Sequence, residues 1–240
     1  MSPRAIAIIP ARLGSTRLPG KVLAPLGGQP VLGHVVAHAQ ACARLGRVVV
    51  ASGDAEITAW CRGAGVEVVD TPLGLPSGTD RVAHALRQLG DPAEIILNLQ
   101  ADEPFVLPGL LASVVEAAAH PQAAVGTAWA PGDAGDIDAE DRVKIAVDPD
   151  GWVRGFSRRG WASGPVRLHV GLYAYRRAAL AAFAGAAPHA EELAQRLEQL
   201  RLFHAGAAYR AVPAGHVPLS IDTPADLARA RARVGPLENP

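Results

Sequence analysis

A basic loop follows the first apolar run of the chain, and its residue types suit the binding of a polyphosphate. The loop reads PARLGSTRLPGK and ends at Lys21. Its glycine and serine residues allow backbone amides to approach an anion, and Arg12, Arg17 and Lys21 add three positive charges. Five residues separate its two glycines and a valine follows the lysine, so the loop is not a Walker A motif. The pattern favours a phosphate loop of another type over a basic surface loop.

Two acidic residues that are far apart in the sequence form a candidate metal site. Asp102 follows an apolar run in the segment LNLQADEP, and Asp222 comes directly before Thr223. Magnesium binds proteins through one or two carboxylates together with substrate phosphates, so Asp102 and Asp222 could form a two-carboxylate Mg²⁺ site. Two structural interpretations stay open. Glu103 could bend the turn before its proline, and Asp222 or Thr223 could cap a helix.

Alternating strands and helices are expected to position these groups. Short, β-branched apolar runs predict strands over 5–9, 47–51, 66–70 and 94–100. Segments with helical periodicity predict helices over 29–45, 56–63, 79–89 and 108–119, the third of them capped by Ser77 or Thr79. This order predicts an α/β fold with a mostly parallel sheet covered on both faces. Such sheets bind ligands beyond the carboxyl ends of their strands, where the loop and Asp102 are expected.

The second half of the chain has a different pattern. Residues 131–141 are rich in acidic and turn-forming residues, which predicts an acidic loop. Antiparallel strands are predicted over 143–147, 152–156 and 167–175, and the turn DPDG joins the first two as a hairpin. The remaining predictions are a helix over 190–203, short strands over 208–212 and 217–221, and a terminal helix from Pro224.

The composition limits the classes of function. With 240 residues, of which 49% are hydrophobic and 19% charged, the chain can bury a sizeable core. Its 23 basic and 23 acidic residues balance, so no overall basic surface is expected for nucleic acid polymers or membranes. The two cysteines lack the spacing of a metal site, and the first apolar run is too short for a signal or membrane segment. We therefore expect a soluble, cytoplasmic protein.

Two minor patterns are also informative. Only Lys21 and Lys144 are lysines, whereas the other 21 basic residues are arginines. The bias toward arginine is interpreted as genomic. For the two retained lysines, two interpretations stay open, namely a need for a compact ammonium group and coincidence. His34 and His38 lie one helical turn apart, a spacing that also occurs in zinc sites. No acidic residue lies between them as in HExxH, so we interpret them as surface or core histidines.

Four motifs occur in order along nearly the whole chain. They read IPARLGSTRLPGK, SGTDR, QADEP and DTP, and they start at Ile9, Ser77, Gln100 and Asp222. Together they resemble the 3-deoxy-D-manno-octulosonate (Kdo) cytidylyltransferases, also called CMP-Kdo synthetases. The first motif is shared more loosely with the CMP-sialic acid synthetases.

The resemblance implies a three-layer, Rossmann-like nucleotidyltransferase fold with a mostly parallel central sheet and a small antiparallel lobe. A single domain over 1–240 would contain a nucleotide-binding core, 1–130 plus 205–240, and a smaller lobe, 131–204, for sugar binding and dimerisation. The implied partners are CTP, an acidic sugar and a second copy of the chain. The implied reaction is Mg²⁺-dependent transfer of CMP from CTP to Kdo, which gives CMP-Kdo and pyrophosphate for lipopolysaccharide biosynthesis.

The resemblance also assigns roles to individual residues, whereas a general base is not assigned. Lys21 and Asp102 would be catalytic, and Asp102 and Asp222 would bind Mg²⁺. The residues around the nucleotide would be Arg12, Ser15, Lys21, Ser77, Arg81 and Gln100. The sugar acid would contact Gln100, His169, Tyr173, Glu198 and Gln199, of which the last four lie in the segments HVGLY and LEQLR.

The chain departs from the family pattern near the sugar. Ala101 replaces the usual glycine, Asp80 replaces the usual glutamate, and Leu168 replaces the arginine before the histidine. The segment 159–167 is shorter than the family's loop, so the sugar is less tightly specified than the nucleotidyl transfer. Two alternatives therefore stay open, namely a cytidylyltransferase for a sialic acid-like sugar or amino-Kdo, and a non-catalytic nucleotide-binding protein.

Overall fold

The computed structural model describes residues 4–159 and 164–235, which form two compact units. The unit that we call the N-terminal unit comprises Arg4–Pro92, Asn98–Ala112 and the chain from Pro218 on. The central unit comprises Ala93–Leu97 and Ser113–Val217. The limits of these two units differ from those of the predicted nucleotide-binding core and the predicted smaller lobe, which were divided near residues 130 and 205. The predicted division concerns binding roles, and it stays a prediction. None of the helices in the described part of the chain has the length and apolar character needed to cross a membrane.

The structure contains strands and helices along the whole described chain, and in the first half they alternate as predicted. The strands are β1 (Ala5–Pro10), β2 (Pro25–Leu26), β3 (Gln29–Pro30), β4 (Arg47–Ser52), β5 (Val68–Asp70), β6 (Ile95–Asn98), β7 (Val125–Pro131), β8 (Lys144–Val147), β9 (Val153–Ser157), β10 (Arg167–Arg176) and β11 (Tyr209–Pro213). The helices are α1 (Val31–Gln40), α2 (Ala55–Gly63), α3 (Gly78–Leu89), α4 (Pro108–Ala119), α5 (Arg177–Gly185), α6 (Ala190–Gln195), α7 (Gln199–His204) and α8 (Pro224–Val234).

Parallel strands form the sheet of the N-terminal unit. β4 pairs in parallel with β1 on one side and with β5 on the other, in a register that places Ile9 opposite Val50. Every residue of β1 is buried, as expected for a continuous apolar strand with both faces covered. β1 therefore delivers the chain at Pro10 to the carboxyl edge of this sheet, where the basic loop begins.

Antiparallel pairing dominates the central unit. β10 pairs with β7 and β8, and β8 pairs with β9 across the predicted DPDG turn. β11 runs parallel to β7 on its other side. The α/β class, the mostly parallel central sheet and the small antiparallel sheet are thus confirmed.

Several predicted elements need correction. The helix over 29–45 begins at Val31, because residues 29–30 pair with Pro25–Leu26, and it ends at Gln40. The helix over 190–203 is two helices, α6 and α7, because Arg196 has a left-handed backbone with φ of 55°. The strand predicted over 217–221 is wrong, since this segment is not part of any sheet. β7 and α5 were not predicted.

Candidate functional site

Backbone hydrogen bonds shape the basic loop after β1. The carbonyl oxygen of Leu13 accepts hydrogen bonds from the amides of Ser15 (2.9 Å) and Gly20 (3.0 Å), which closes the loop on itself. The amide of Leu13 donates to the Asp54 carboxylate at 3.0 Å, which anchors the loop from outside. Gly20 has φ of 70°, a conformation that suits glycine, and it starts the short 3-10 helix Lys21–Leu23. The loop thus ends by fixing the backbone of Lys21.

The side chain of Lys21 joins the two acidic residues of the candidate metal site. Its ammonium nitrogen lies 2.5 Å from an oxygen of Asp102 and 2.7 Å from Oδ1 of Asp222. Arg17 also contacts Oδ1 of Asp222, at 3.0 Å. Burial lowers the pKa of Lys21, but the charges of Asp102 and Asp222 and their hydrogen bonds outweigh burial, so the pKa is raised above its ordinary value. Residues that are 81 and 201 positions apart in the sequence therefore meet at one point.

Local structure holds both carboxylates in place. The amide of Ile221 donates to the carbonyl oxygen of Asp102 at 2.9 Å, which ties the turn after β6 to the segment before α8. Thr223 is the N-cap of α8, and it forms a capping box with Asp226. The capping alternative therefore holds for Thr223, whereas the Asp222 side chain points to Lys21 instead.

Glu103 adds a third carboxyl group beside this cluster. The residue is half-buried, but its Oε2 atom is fully buried and has no hydrogen-bond partner among the described residues. Burial, together with the charges of Asp102 and Asp222, raises the pKa of Glu103 to about 8. The surroundings of Glu103 therefore favour its neutral carboxylic acid form. Its backbone forms the turn that follows Gln100, as the structural interpretation predicted.

The other predicted nucleotide residues belong to the same unit. Ser77 is the N-cap of α3, and its hydroxyl accepts a hydrogen bond from the amide of Asp80 at 3.1 Å. Arg81 is buried, and its guanidinium donates to Thr71 and to the backbone of the following two residues. Burial lowers the pKa of Arg81, Asp54 opposes this effect and the nearby charge of Arg12 adds to it. Two guanidinium groups are thus close enough to repel each other, an arrangement that an anion would stabilise.

Gln100 and Ser15 also have defined environments. The Gln100 amide donates to Asn98 at 3.0 Å, and Asn98 donates to Thr79 of α3 at 3.1 Å, so a polar chain links the end of β6 to this helix. The Ser15 hydroxyl accepts a hydrogen bond from the amide of Leu18 at 3.4 Å. Arg12 is exposed. Their roles toward a nucleotide stay predictions.

The predicted sugar residues of the central unit include a half-buried histidine, His169. Thr127 has a single hydroxyl proton and donates it to the carbonyl oxygen of Leu172 at 2.9 Å. The same hydroxyl lies 2.9 Å from Nε2 of His169, so its oxygen accepts a hydrogen bond from the N–H of that nitrogen. His169 is therefore the Nε2-protonated tautomer, and its Nδ1 atom keeps a lone pair. Burial lowers the pKa of His169 to about 3, so the ring is neutral.

Aromatic rings extend this environment. The ring of Tyr173 lies 5.3 Å from that of His169, and burial raises the pKa of Tyr173 well above its ordinary value. The charge of Glu198 contributes to the same rise. Gln199 is buried and accepts a hydrogen bond from the Tyr209 hydroxyl through its backbone oxygen, at 3.1 Å. The central unit thus gathers His169, Tyr173 and Glu198, whereas Gln100 belongs to the N-terminal unit.

Two residues that support these sites were not predicted from the sequence. Asp54 anchors the basic loop, and its position between β4 and α2 was a detectable signal, because acids at strand ends often cap the next helix. Thr127 fixes the tautomer of His169, but it lies in β7, a strand that the pattern did not reveal. On α1, a ring nitrogen of His34 lies at hydrogen-bonding distance, 2.7 Å, from the carbonyl oxygen of Leu26.

Comparison with known proteins defines the class first. A family model described as cytidylyltransferase matches residues 6–210. The chain belongs to the cytidylyltransferase family.

The names of similar curated relatives specify a particular sugar. A protein from Parvibaculum lavamentivorans, 42% identical over 237 residues and covering 95% of this chain and 91% of its own length, is named 3-deoxy-manno-octulosonate cytidylyltransferase. A protein of the same name from Xanthobacter autotrophicus is 40% identical over 246 residues, with 96% of this chain and 94% of that protein covered.

Solved structures agree with this assignment. A CMP:2-keto-3-deoxy-manno-octonic acid synthetase, solved in complex with CTP, matches with a TM-score of 0.92 at 32% identity. The match covers 96% of this chain and 98% of that one. A cytidylyltransferase from Leptospira borgpetersenii has a TM-score of 0.64 at 17% identity, which is a likeness of fold alone.

Proposed function

We propose that this protein transfers CMP from CTP to the anomeric hydroxyl of Kdo, giving CMP-Kdo and pyrophosphate. One observation carries the proposal. Lys21, Asp102 and Asp222 converge at one point beside a phosphate-type loop, in a chain about 40% identical to Kdo cytidylyltransferases along nearly its whole length. The geometry provides the charged groups that nucleotidyl transfer needs. The names of the relatives support Kdo as the sugar substrate.

The chemistry depends mainly on positioning and charge. The sugar hydroxyl oxygen forms a bond to the α-phosphorus while the bond from that phosphorus to pyrophosphate breaks, and negative charge develops on the phosphoryl oxygens and the leaving group. Lys21 and Arg12 place positive charge where the triphosphate would lie, and Ser15 offers its hydroxyl and a loop amide. Because the Leu13 hydrogen bonds fix the loop beforehand, its donors need little reorganisation.

Asp102 and Asp222 fit a divalent cation. Each directs an oxygen at the same point, and two carboxylates leave room for the water and phosphate ligands that Mg²⁺ prefers. We propose that these two residues hold Mg²⁺ in the working enzyme. When bound, the ion would neutralise charge on the α-phosphate and the leaving group.

The remaining roles follow the same proposal. Ser77, Arg81 and Gln100 would border the nucleotide, and Gln100, His169, Tyr173, Glu198 and Gln199 would contact the sugar acid. The free Nδ1 lone pair of His169 supports its role, because it can accept a hydrogen bond from a sugar hydroxyl. We also propose a cytoplasmic homodimer that pairs through the hairpin 143–156 and the strand 167–175 and serves lipopolysaccharide biosynthesis. Light scattering at twice the 24.9 kDa chain mass would test the dimer.

The proposal is tested by pyrophosphate release. CTP and Mg²⁺ are supplied with Kdo, an amino-Kdo or a sialic acid in parallel, with wild type, Asp102→Asn and Glu56→Gln. Glu56 is an exposed acid on α2 and serves as the matched control. We expect release with Kdo that Asp102→Asn reduces by at least about a hundredfold, as loss of a transition-state charge partner does, while Glu56→Gln is unaffected. A higher rate with another sugar would overturn the Kdo assignment, and CTP binding without release would favour a non-catalytic role.

A further inference from the structure

The basic loop and the acidic pair neutralise each other in this structure. Lys21 lies between Asp102 and Asp222, and the Asp222 oxygen that accepts from Lys21 is also paired with Arg17. Two cations therefore face two carboxylates. Under the proposed function, the groups meant for phosphate and the groups meant for metal are already occupied by one another.

Lys21 is largely withdrawn from water, and Asp102 is partly so. The Lys21 side chain is 11% exposed and that of Asp102 is 25% exposed. A charge in such surroundings is costly when its partner is removed, because water cannot fully replace that partner. Any ligand that takes one side of the cluster must therefore leave the other side unpaired.

The cations and the carboxylates of the cluster are anchored differently. The backbone of Asp102 is tied to Ile221, and the capping box of α8 fixes the backbone beside Asp222. Lys21 reaches the pair through a long, flexible side chain, and the Arg17 side chain is 63% exposed. The cations can therefore move to a new partner, while the carboxylates stay in place.

We propose that Lys21 and Arg17 are internal counter-ions that are exchanged when ligands bind, so that the divalent cation and the triphosphate bind cooperatively. This inference rests on the metal and phosphate roles of the proposed function. A metal ion alone has to displace an ammonium group and leaves two cations without partners. A triphosphate alone draws the cations away and leaves two carboxylates facing a polyanion. When both bind together, the metal pairs with the carboxylates, the phosphates pair with Lys21 and Arg17, and every charge keeps a partner.

Metal binding without nucleotide tests the first half of the exchange. Free Mn²⁺ is titrated by electron paramagnetic resonance with wild type, Lys21→Met and Arg62→Met. Arg62→Met is the matched control, because Arg62 is an exposed cation on α2 with no assigned role in the site. We expect Lys21→Met to bind Mn²⁺ about tenfold more tightly than wild type, within the usual range of coupling between sites, and Arg62→Met to stay close to wild type. Equal affinity of Lys21→Met and wild type, or an equal gain in Arg62→Met, would overturn the proposal.

Nucleotide binding without metal tests the second half. CTP is titrated by calorimetry in the presence of a chelator with wild type and Asp222→Asn. Asp222→Asn removes the carboxylate charge shared by Lys21 and Arg17, so we expect it to bind metal-free CTP several-fold more tightly than wild type. Unchanged or weaker binding by a variant whose thermal unfolding matches that of wild type would contradict the exchange.

A further variant separates this inference from the proposed function. Lys21→Met combined with Asp102→Asn should lose the tight Mn²⁺ binding of Lys21→Met. If Mn²⁺ binds equally well without Asp102, the metal site of the proposed function is wrong. If Mn²⁺ binding needs Asp102 but is not improved by Lys21→Met, the metal site stands and the exchange is overturned.

Discussion

The two lysines of this arginine-rich chain serve different structural purposes. Lys21 bridges Asp102 and Asp222 with one small ammonium group. Lys144 is completely buried, and its ammonium donates to the carbonyl oxygens of Ala139 at 3.1 Å and Arg158 at 2.7 Å. Both sites suit a compact, freely rotating donor better than a planar guanidinium. The sequence indicated a preference for lysine at both positions. It did not indicate that the Lys144 ammonium would donate to backbone carbonyl oxygens.

Lys21→Arg tests the need for an ammonium group at the cluster. The charge is kept, but a guanidinium cannot direct one nitrogen at both carboxylates in the same geometry. We expect kcat to fall by about tenfold or more, measured as pyrophosphate release at saturating CTP. A fully active Lys21→Arg enzyme would show that the choice of lysine has no functional meaning.

Lys144→Arg tests the buried lysine. The sequence alone predicts a milder effect on turnover than for Lys21→Arg. Burial adds a stability effect, because the larger group overpacks its site and destabilises by about 1–3 kcal/mol. Urea unfolding measures this loss, and an unchanged midpoint would mean that the site has room that the packing does not show.

The neutral state of His169 makes stability depend on pH. The folded pKa is about 3 and the ordinary value is 6.5, so below pH 6.5 the unfolded chain binds a proton that the folded chain does not. The stabilising contribution is complete above pH 6.5 and is lost as the pH falls toward 3. Between about pH 7 and about pH 5, wild type should lose roughly 1–2 kcal/mol more than His169→Gln. Parallel losses in urea unfolding would place His169 in contact with water.

At the scale of elements, the sequence predicted the buried strands of the first half better than it predicted β7 or the break between α6 and α7. Long apolar runs made β1 and β4 predictable, and α4 has the predicted bounds. β7 was not predicted because its sequence is set by packing. A Cβ atom at Gly126 would lie 2.3 Å from the Val114 carbonyl oxygen, so this strand needs a glycine that weakens its own strand signal. The break between α6 and α7 depends on the left-handed Arg196, a residue type that gives no such signal.

Thr223→Ala tests the cap that adjoins Asp222. Loss of the side-chain acceptor for the Asp226 amide should destabilise the protein by about 1 kcal/mol. Because the cap also fixes the backbone beside Asp222, Mn²⁺ affinity should fall as well. Thr223→Ser keeps the hydroxyl and should restore both properties. Equal stability and equal Mn²⁺ affinity of Thr223→Ala and Thr223→Ser would show that the cap does not support the site.

At the scale of the whole molecule, the sequence indicated candidate site residues but not the contacts between them. The motifs identified Lys21, Asp102 and Asp222 one by one. Their pairing joins Lys21 to residues that are 81 and 201 positions away, and contacts over such separations cannot be inferred from the motifs alone. The overall charge balance of 23 basic and 23 acidic residues likewise hides a local balance inside the N-terminal unit. Family membership follows from matches over nearly the full chain, whereas the sugar contacts and the dimer stay proposals.

The central claim is that this protein joins CMP to Kdo. The most direct test is ³¹P nuclear magnetic resonance of the protein with CTP, Mg²⁺ and Kdo. We predict that the CTP signals are replaced by one phosphodiester signal and by pyrophosphate in equal molar amounts, and that omission of Kdo or Mg²⁺ leaves CTP intact. Unchanged CTP in the complete mixture, or the appearance of CDP and inorganic phosphate instead, would contradict the claim.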